Sequence, residues 1–320
     1  MILAFDPSSP VIIVQRKCDL PIPSENHIWY SVSAQDWESK TKARPQTQKP
    51  SLWRLVETVF LGEWVSMQIS PFGLLSMISM ILIHICNRER ISIGVFEDYD
   101  QTFTEKMEKS LSSWEKLWQL HPGAEQVPTK RGDPLLADCF ALLGSTCYHL
   151  YLGPELQALK DIAKDPYCRQ PLPPCRPTAS VLKAINYAAN SWLVRSKLGV
   201  LHLKRTAALE FGSHTVVTAY EGGKFMRTLL EVLHSLSKAR LFYVALILSW
   251  WLFYHESPHR VQENPPFLEN IFEEIFAECK DQDISPPVSS NKATLPLHFY
   301  LHLLERWVWT CKFMFAAGIS

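Results

Sequence analysis

The sequence predicts an all-α fold, an irregular multi-helix domain with an extended, proline-rich N-terminal arm. Two observations carry this expectation. From Ser51 onward apolar residues recur at intervals of three and four, the period of one helix face. Val11 to Val14 is the one short β-branched run, and no convincing alternation of period two exceeds one short segment, so a sheet has no support.

The arm comes first. Pro21, Pro23, Pro45 and Pro50 each oppose helix locally, since proline lacks an N–H and restricts the residue before it. Ile28, Trp29, Val32 and Trp37 are too apolar for a free tail, so the arm is expected to lie against the core. Helices follow. Ser51 caps a stripe of Leu52, Val56 and Val59, and Thr104 precedes Met107, Leu111, Trp114 and Trp118. Asp133 before Pro134 is an N-cap with proline at the first helical position, opening Leu136, Phe140, Leu143, Cys147 and Leu150; Gly153 and Pro154 read as its stop. Beyond a proline-rich connector at 165–178 come Val181, Ile185, Ala188 and Trp192. A helix is expected over about 216–233, an apolar one over 241–254, and one carrying Leu268, Phe272, Ile275 and Cys279. A closing helix carries Leu297, Leu301, Leu304, Val308 and Cys311.

Composition narrows the class. Apolar residues at 47% and charged residues at 20% match globular proteins, which argues against wholesale disorder despite 22 prolines. Lys plus Arg and Asp plus Glu are each 32, so no domain-wide basic field draws in a polyphosphate backbone, and direct DNA binding is disfavoured. Lys40 to Lys49 holds four basic residues and no acid; it reads as a solvated linker before an import or phosphate-contacting patch. The start of the chain lacks a signal-peptide pattern, and eight dispersed cysteines suit a reducing compartment. Cys86, Cys139, Cys147, Cys279 and Cys311 lie in apolar helical surroundings and are expected to act as small hydrophobes. The apolar runs Phe72 to Cys86 and Leu241 to Tyr254 are 15 and 14 residues, short of the roughly 18 to 20 needed to cross a bilayer. Both read as buried central helices, and no membrane partner is expected.

The search for chemistry is mostly negative. Cys168 and Cys175 have six residues between them, a gap found in zinc clusters of fungal regulators, but a lone pair cannot complete a tetrahedral site. No metalloprotease, nucleophile-elbow, phosphate-loop or dinucleotide motif occurs. Glu97, Asp98 and Asp100, with Glu273 and Glu274, lack the one-face acid arrangement of helical cyclases and read as solvated surface. His84, His234 and His255 read as core or edge histidines. His298 and His302 stand four apart without a third metal ligand. No catalytic, cofactor-binding, metal or DNA-binding residue is therefore assigned, and the chain is not expected to be an enzyme.

Several strings resemble one family. DLPIPSENHIWYSVSAQDW (19–37) resembles a Leu-Pro stretch followed by two tryptophans; SPFGLLSMISMILIHI (70–85) resembles the next, apolar helix with a late His. DPLLADCFALLGSTCYHLYLGPELQAL (133–159) resembles the central helix and its successor, and SKLGVLHLKRT (196–206) a Lys-Leu-Gly segment. Together, in order over about 19–255, they resemble the fungal-specific transcription factor regulatory (middle homology) domain, of the type found C-terminal to zinc fingers. The resemblance implies a nuclear regulator of RNA polymerase II genes that contacts the transcription machinery or co-regulators, and it leaves room for a homodimer. Its zinc and DNA contacts are expected only in an N-terminal zinc-finger module without counterpart here. Trp192, Lys197 and Leu198 lie where the family packs its core, so they are expected to be structural. The expected organisation is an arm over 1–50, the regulatory domain over 51–255, and C-terminal helices over 256–320 packed on the same domain. Two other readings stand beside it: a motif-less helical enzyme of small-molecule metabolism, and a non-transcriptional helical scaffold.

Overall fold

Eight α-helices and no strand occur among the described residues of the computed structural model, so the fold is all-α. The structure describes residues 21–22, 28, 30–42, 51–91, 97–124, 133–164, 171–199, 243–255, 265–282, 292–296 and 298–299. The helices are α1 (Ala34–Lys42), α2 (Leu52–Phe60), α3 (Pro71–Ile91), α4 (Glu97–Gln119), α5 (Pro134–Lys164), α6 (Ala179–Leu198), α7 (Tyr243–His255) and α8 (Pro266–Asp281). The expected helix over 216–233, and Leu301, Leu304, Val308 and Cys311 of the closing helix, lie outside the described residues. The chain divides into two compact units, Leu3–Thr146 and Cys147–Ser320, and the division falls within α5.

In the first unit α2, α3 and α4 pack pairwise. The Ser51 side chain accepts from the Arg54 N–H and starts α2 as its sequence predicts, although the buried stripe is Leu55, Val56 and Val59 rather than one beginning at Leu52. Helix α3 extends the apolar run expected over 72–86 to 21 residues. By length and composition alone, its Pro71–Arg88 stretch could cross a membrane, and 61% of that stretch is buried inside the protein. Helix α4 begins seven residues before Thr104, which is helical and not a cap. The segment 97–103 contains no proline or glycine to stop it and has acids at its start, where the helix dipole favours negative charge.

Part of the N-terminal expectation fails. Ile22 and Ile28 are buried, as expected of an arm on the core, and a Cβ at Gly73 would stand 3.2 Å from Ile22 Cγ1. Residues 34–42 are helical instead of extended, with no buried residue, and Val32 and Trp37 are exposed. A local capping arrangement explains the helix. Ser33 Oγ accepts from the Asp36 N–H, and Asp36 in turn accepts from the Val32 N–H and pairs with Lys40 at 2.7 Å. These contacts satisfy helix-start donors between the flanking prolines.

In the second unit α6 packs on both α7 and α8. Thr178 caps α6, accepting from the Val181 N–H, and the predicted stripe Val181, Ile185, Ala188 and Trp192 is buried. The α8 stripe Leu268, Phe272, Ile275 and Cys279 is buried as well. Helix α7 is buried on several faces, including Trp250 and Trp251, so the two indoles serve a core and not an interfacial belt. Asp133 opens α5 as predicted, with Oδ1 accepting from the Leu135 N–H. The first helical stretch breaks where Gly153 and Pro154 predict: Leu152 leaves helical geometry (φ −121°, ψ 19°), and a second stretch runs on across a kink to Lys164. Pro154 lacks the N–H that a straight helix would use and kinks the chain, while burial of Leu156 and Leu159 holds the following turns to the core.

Candidate functional site

The second unit contains the largest aromatic assembly among the described residues. Trp192 of α6 lies edge-on to Phe276 of α8 and to Phe299, with ring centroids 6.3 and 6.0 Å apart. Phe272 stacks on Phe276 at 6.1 Å. Such contacts add to apolar burial. Trp192 is completely buried.

At one end of this assembly α6 stops at Gly199, whose φ of 81° suits a residue without a Cβ. Gln282 Nε2, just beyond α8, donates to Ser196 O at 2.7 Å. Lys197 pairs with Glu274 at 2.5 Å, and both side chains are half exposed, so the pair adds little stability.

Elsewhere on the same unit, segment 171–178 runs without helix or strand to the start of α6. Trp250 Nε1 donates to Pro173 O at 2.8 Å, and the Tyr254 hydroxyl donates to Leu172 O at 3.2 Å. Leu172 and Cys175 pack against the core. Burial, and then the charge of Glu155, pushes the Cys175 thiol up to about 12. Burial likewise pushes Cys279 up to about 12 and raises Cys139 strongly. All three are protonated at neutral pH and are poor nucleophiles.

Cys139, Cys147 and Cys279 are buried as expected, Cys86 is partly buried, and Cys311 lies outside the described residues. Cys168 also lies outside them. Glu97, Asp98 and Asp100 fall in the first turn of α4, whereas Glu273 and Glu274 are exposed on α8. No group of three or more His, Cys, Asp or Glu side chains suited to a metal occurs among the described residues. His84 sits between the rings of Phe60 and Phe103, at 5.2 and 5.6 Å. His255 stacks on Trp251 at 3.8 Å, with Nδ1 3.0 Å from Trp251 O. Burial lowers the pKa of His84 and of His298. His234 and His302 lie outside the described residues.

Sequence reasoning missed the contacts of Trp250 and Tyr254. The available signal was chemical: two aromatic donors four residues apart on an otherwise apolar helix need acceptors when buried, and a proline-rich segment offers carbonyls with few competing donors. Comparison with protein-family models, curated proteins and solved structures finds no match to this chain.

Proposed function

We propose that the chain is the regulatory and interaction domain of a nuclear regulator of RNA polymerase II genes, of the fungal-specific transcription factor type. The observation that carries this reading is the order of the resembling strings. The string 70–85 ends within α3, 133–159 falls on α5, and 196–206 begins at the end of α6. In this proposal the helices serve partner contact and control, with transcription machinery or co-regulators as partners. Zinc and DNA contacts belong to a zinc-finger module outside these residues.

The test is a reporter measurement. Fused to a foreign DNA-binding domain, the chain is expected to raise or lower transcription relative to that DNA-binding domain alone. An unchanged reporter across growth conditions would count against the proposal. A tagged chain that stays in the cytoplasm under those conditions would favour a non-transcriptional scaffold.

A further inference from the structure

Segment 171–178 has the chemistry of a bound peptide. Leu172 and Cys175, three residues apart, are its members packed on the core, together with the aromatic side chains of α7. Three residues is the repeat of the polyproline II helix; the segment's internal hydrogen bond, from the Thr178 N–H to Arg176 O at 2.8 Å, lies beyond these two contacts. Pro171, Pro173 and Pro174 have no N–H. Trp250 and Tyr254, one helical turn apart on α7, donate to the consecutive carbonyls of Pro173 and Leu172. Aromatic side chains with a donor at the tip, set beside an apolar residue of an extended proline-rich strand, are the elements by which proline-rich peptides are recognised.

We infer that 171–178 is a proline-rich ligand held in cis, and that the Trp250–Tyr254 face of α7 is a peptide-reading surface for an extended Leu-Pro-Pro segment. The occupant is specified by the chain itself, whose Leu172, Pro173 and Pro174 supply the sequence and the two accepting carbonyls. Segment 171–178 runs directly into α6, which packs on α7, so the cis segment competes intramolecularly and the surface is closed to weak outside peptides until the segment is weakened. This inference stands independently of the transcriptional reading.

The test uses the full chain and a fluorescent peptide of sequence 170–178 with serine at the cysteine position. Leu172→Asp removes the apolar anchor of the cis segment. By fluorescence anisotropy, the peptide is expected to bind the Leu172→Asp chain at least tenfold more tightly than the wild type. Adding Trp250→Phe and Tyr254→Phe is expected to reverse that gain. Equal binding by wild type and a Leu172→Asp chain of unchanged helical content would overturn the inference, as would a gain that survives both aromatic substitutions. Should Leu172→Asp lose helical content, labelling of Cys175 by a maleimide, followed by mass spectrometry, decides the matter. Without peptide, labelling is then expected to be several-fold faster in the Trp250→Phe, Tyr254→Phe chain than in the wild type, and saturating peptide is expected to speed labelling of the wild type several-fold; unchanged rates in both comparisons would overturn the inference.

Discussion

Trp114 in the first unit and Trp192 in the second are both completely buried, but they are held differently. Trp114 Nε1 donates to Leu74 O at 3.0 Å, joining α4 to α3. Trp192 Nε1 has no hydrogen-bond partner among the described residues and sits among aromatic rings. The same contrast recurs in serine. Ser79 Oγ donates to Leu75 O at 2.7 Å in the first unit, while Ser249 Oγ in the second is buried without a partner among the described residues. Ser110 adds a bond from α4 to Phe60 O at the end of α2, at 3.2 Å. The contrast belongs to these positions and not to whole units: Trp118 Nε1 of the first unit also lacks a partner among the described residues, and buried Ser196 of the second donates to Leu193 O at 2.8 Å. The second unit has long-range hydrogen bonds at the segment 171–178 and at the Gln282 corner. A buried donor without a partner costs about 1–3 kcal/mol, which apolar burial must offset.

This contrast predicts how each position responds to substitution. The largest effect is expected from Trp192→Ala, which opens a cavity in the aromatic assembly and should cost about 3–5 kcal/mol in denaturant unfolding. A cost near zero would show that this assembly does not hold the unit. Next comes a paired measurement with phenylalanine. Trp114→Phe loses a hydrogen bond as well as volume, whereas Trp192→Phe removes an unpartnered donor, so Trp114→Phe should be the more damaging by about 1 kcal/mol or more. Equal costs would break the comparison.

Smaller effects sharpen it. Ser79→Ala should cost about 0.5–1.5 kcal/mol, while Ser249→Ala should be neutral or slightly stabilising by thermal unfolding; a clear loss at Ser249 would reveal a partner for its hydroxyl. The histidines give a pH counterpart. Burial holds the pKa of His298 below its ordinary value of 6.5, so the unfolded chain takes up this proton first as pH falls. Its contribution is therefore retained above the ordinary histidine range and lost as pH drops through it. His298→Gln should flatten the acid-side loss of stability. His84→Gln should flatten it less, because the side chain is exposed despite its lowered pKa. Unfolding curves from about pH 7.5 to 5 separate the two.

Much of the helical frame was legible from residue spacing. The stripes through Val181 and Trp192 and through Leu268 and Cys279 have one apolar face, and the Ser51 and Asp133 caps are local signals. The missed features depend on competition or distance. Helix α1 forms because Ser33 and Asp36 cap it between prolines that oppose helix on either side. The break at Gly153 and Pro154 is local and was legible, while the burial of Leu156 and Leu159 that holds the turns beyond it to the core is tertiary. The bonds from Trp250 and Tyr254 span 77 and 82 residues, beyond any periodic signal. Which of Trp114 and Trp192 finds an acceptor is likewise invisible in spacing, since both occupy apolar stripes.

The transcriptional reading is tested most directly by tethering the full chain, wild type and Trp192→Ala, to a foreign DNA-binding domain at equal protein level and measuring reporter transcription. The account predicts that the wild type changes transcription and that Trp192→Ala, with its aromatic assembly broken, loses the effect. A wild-type fusion indistinguishable from the DNA-binding domain alone in every growth condition would contradict it.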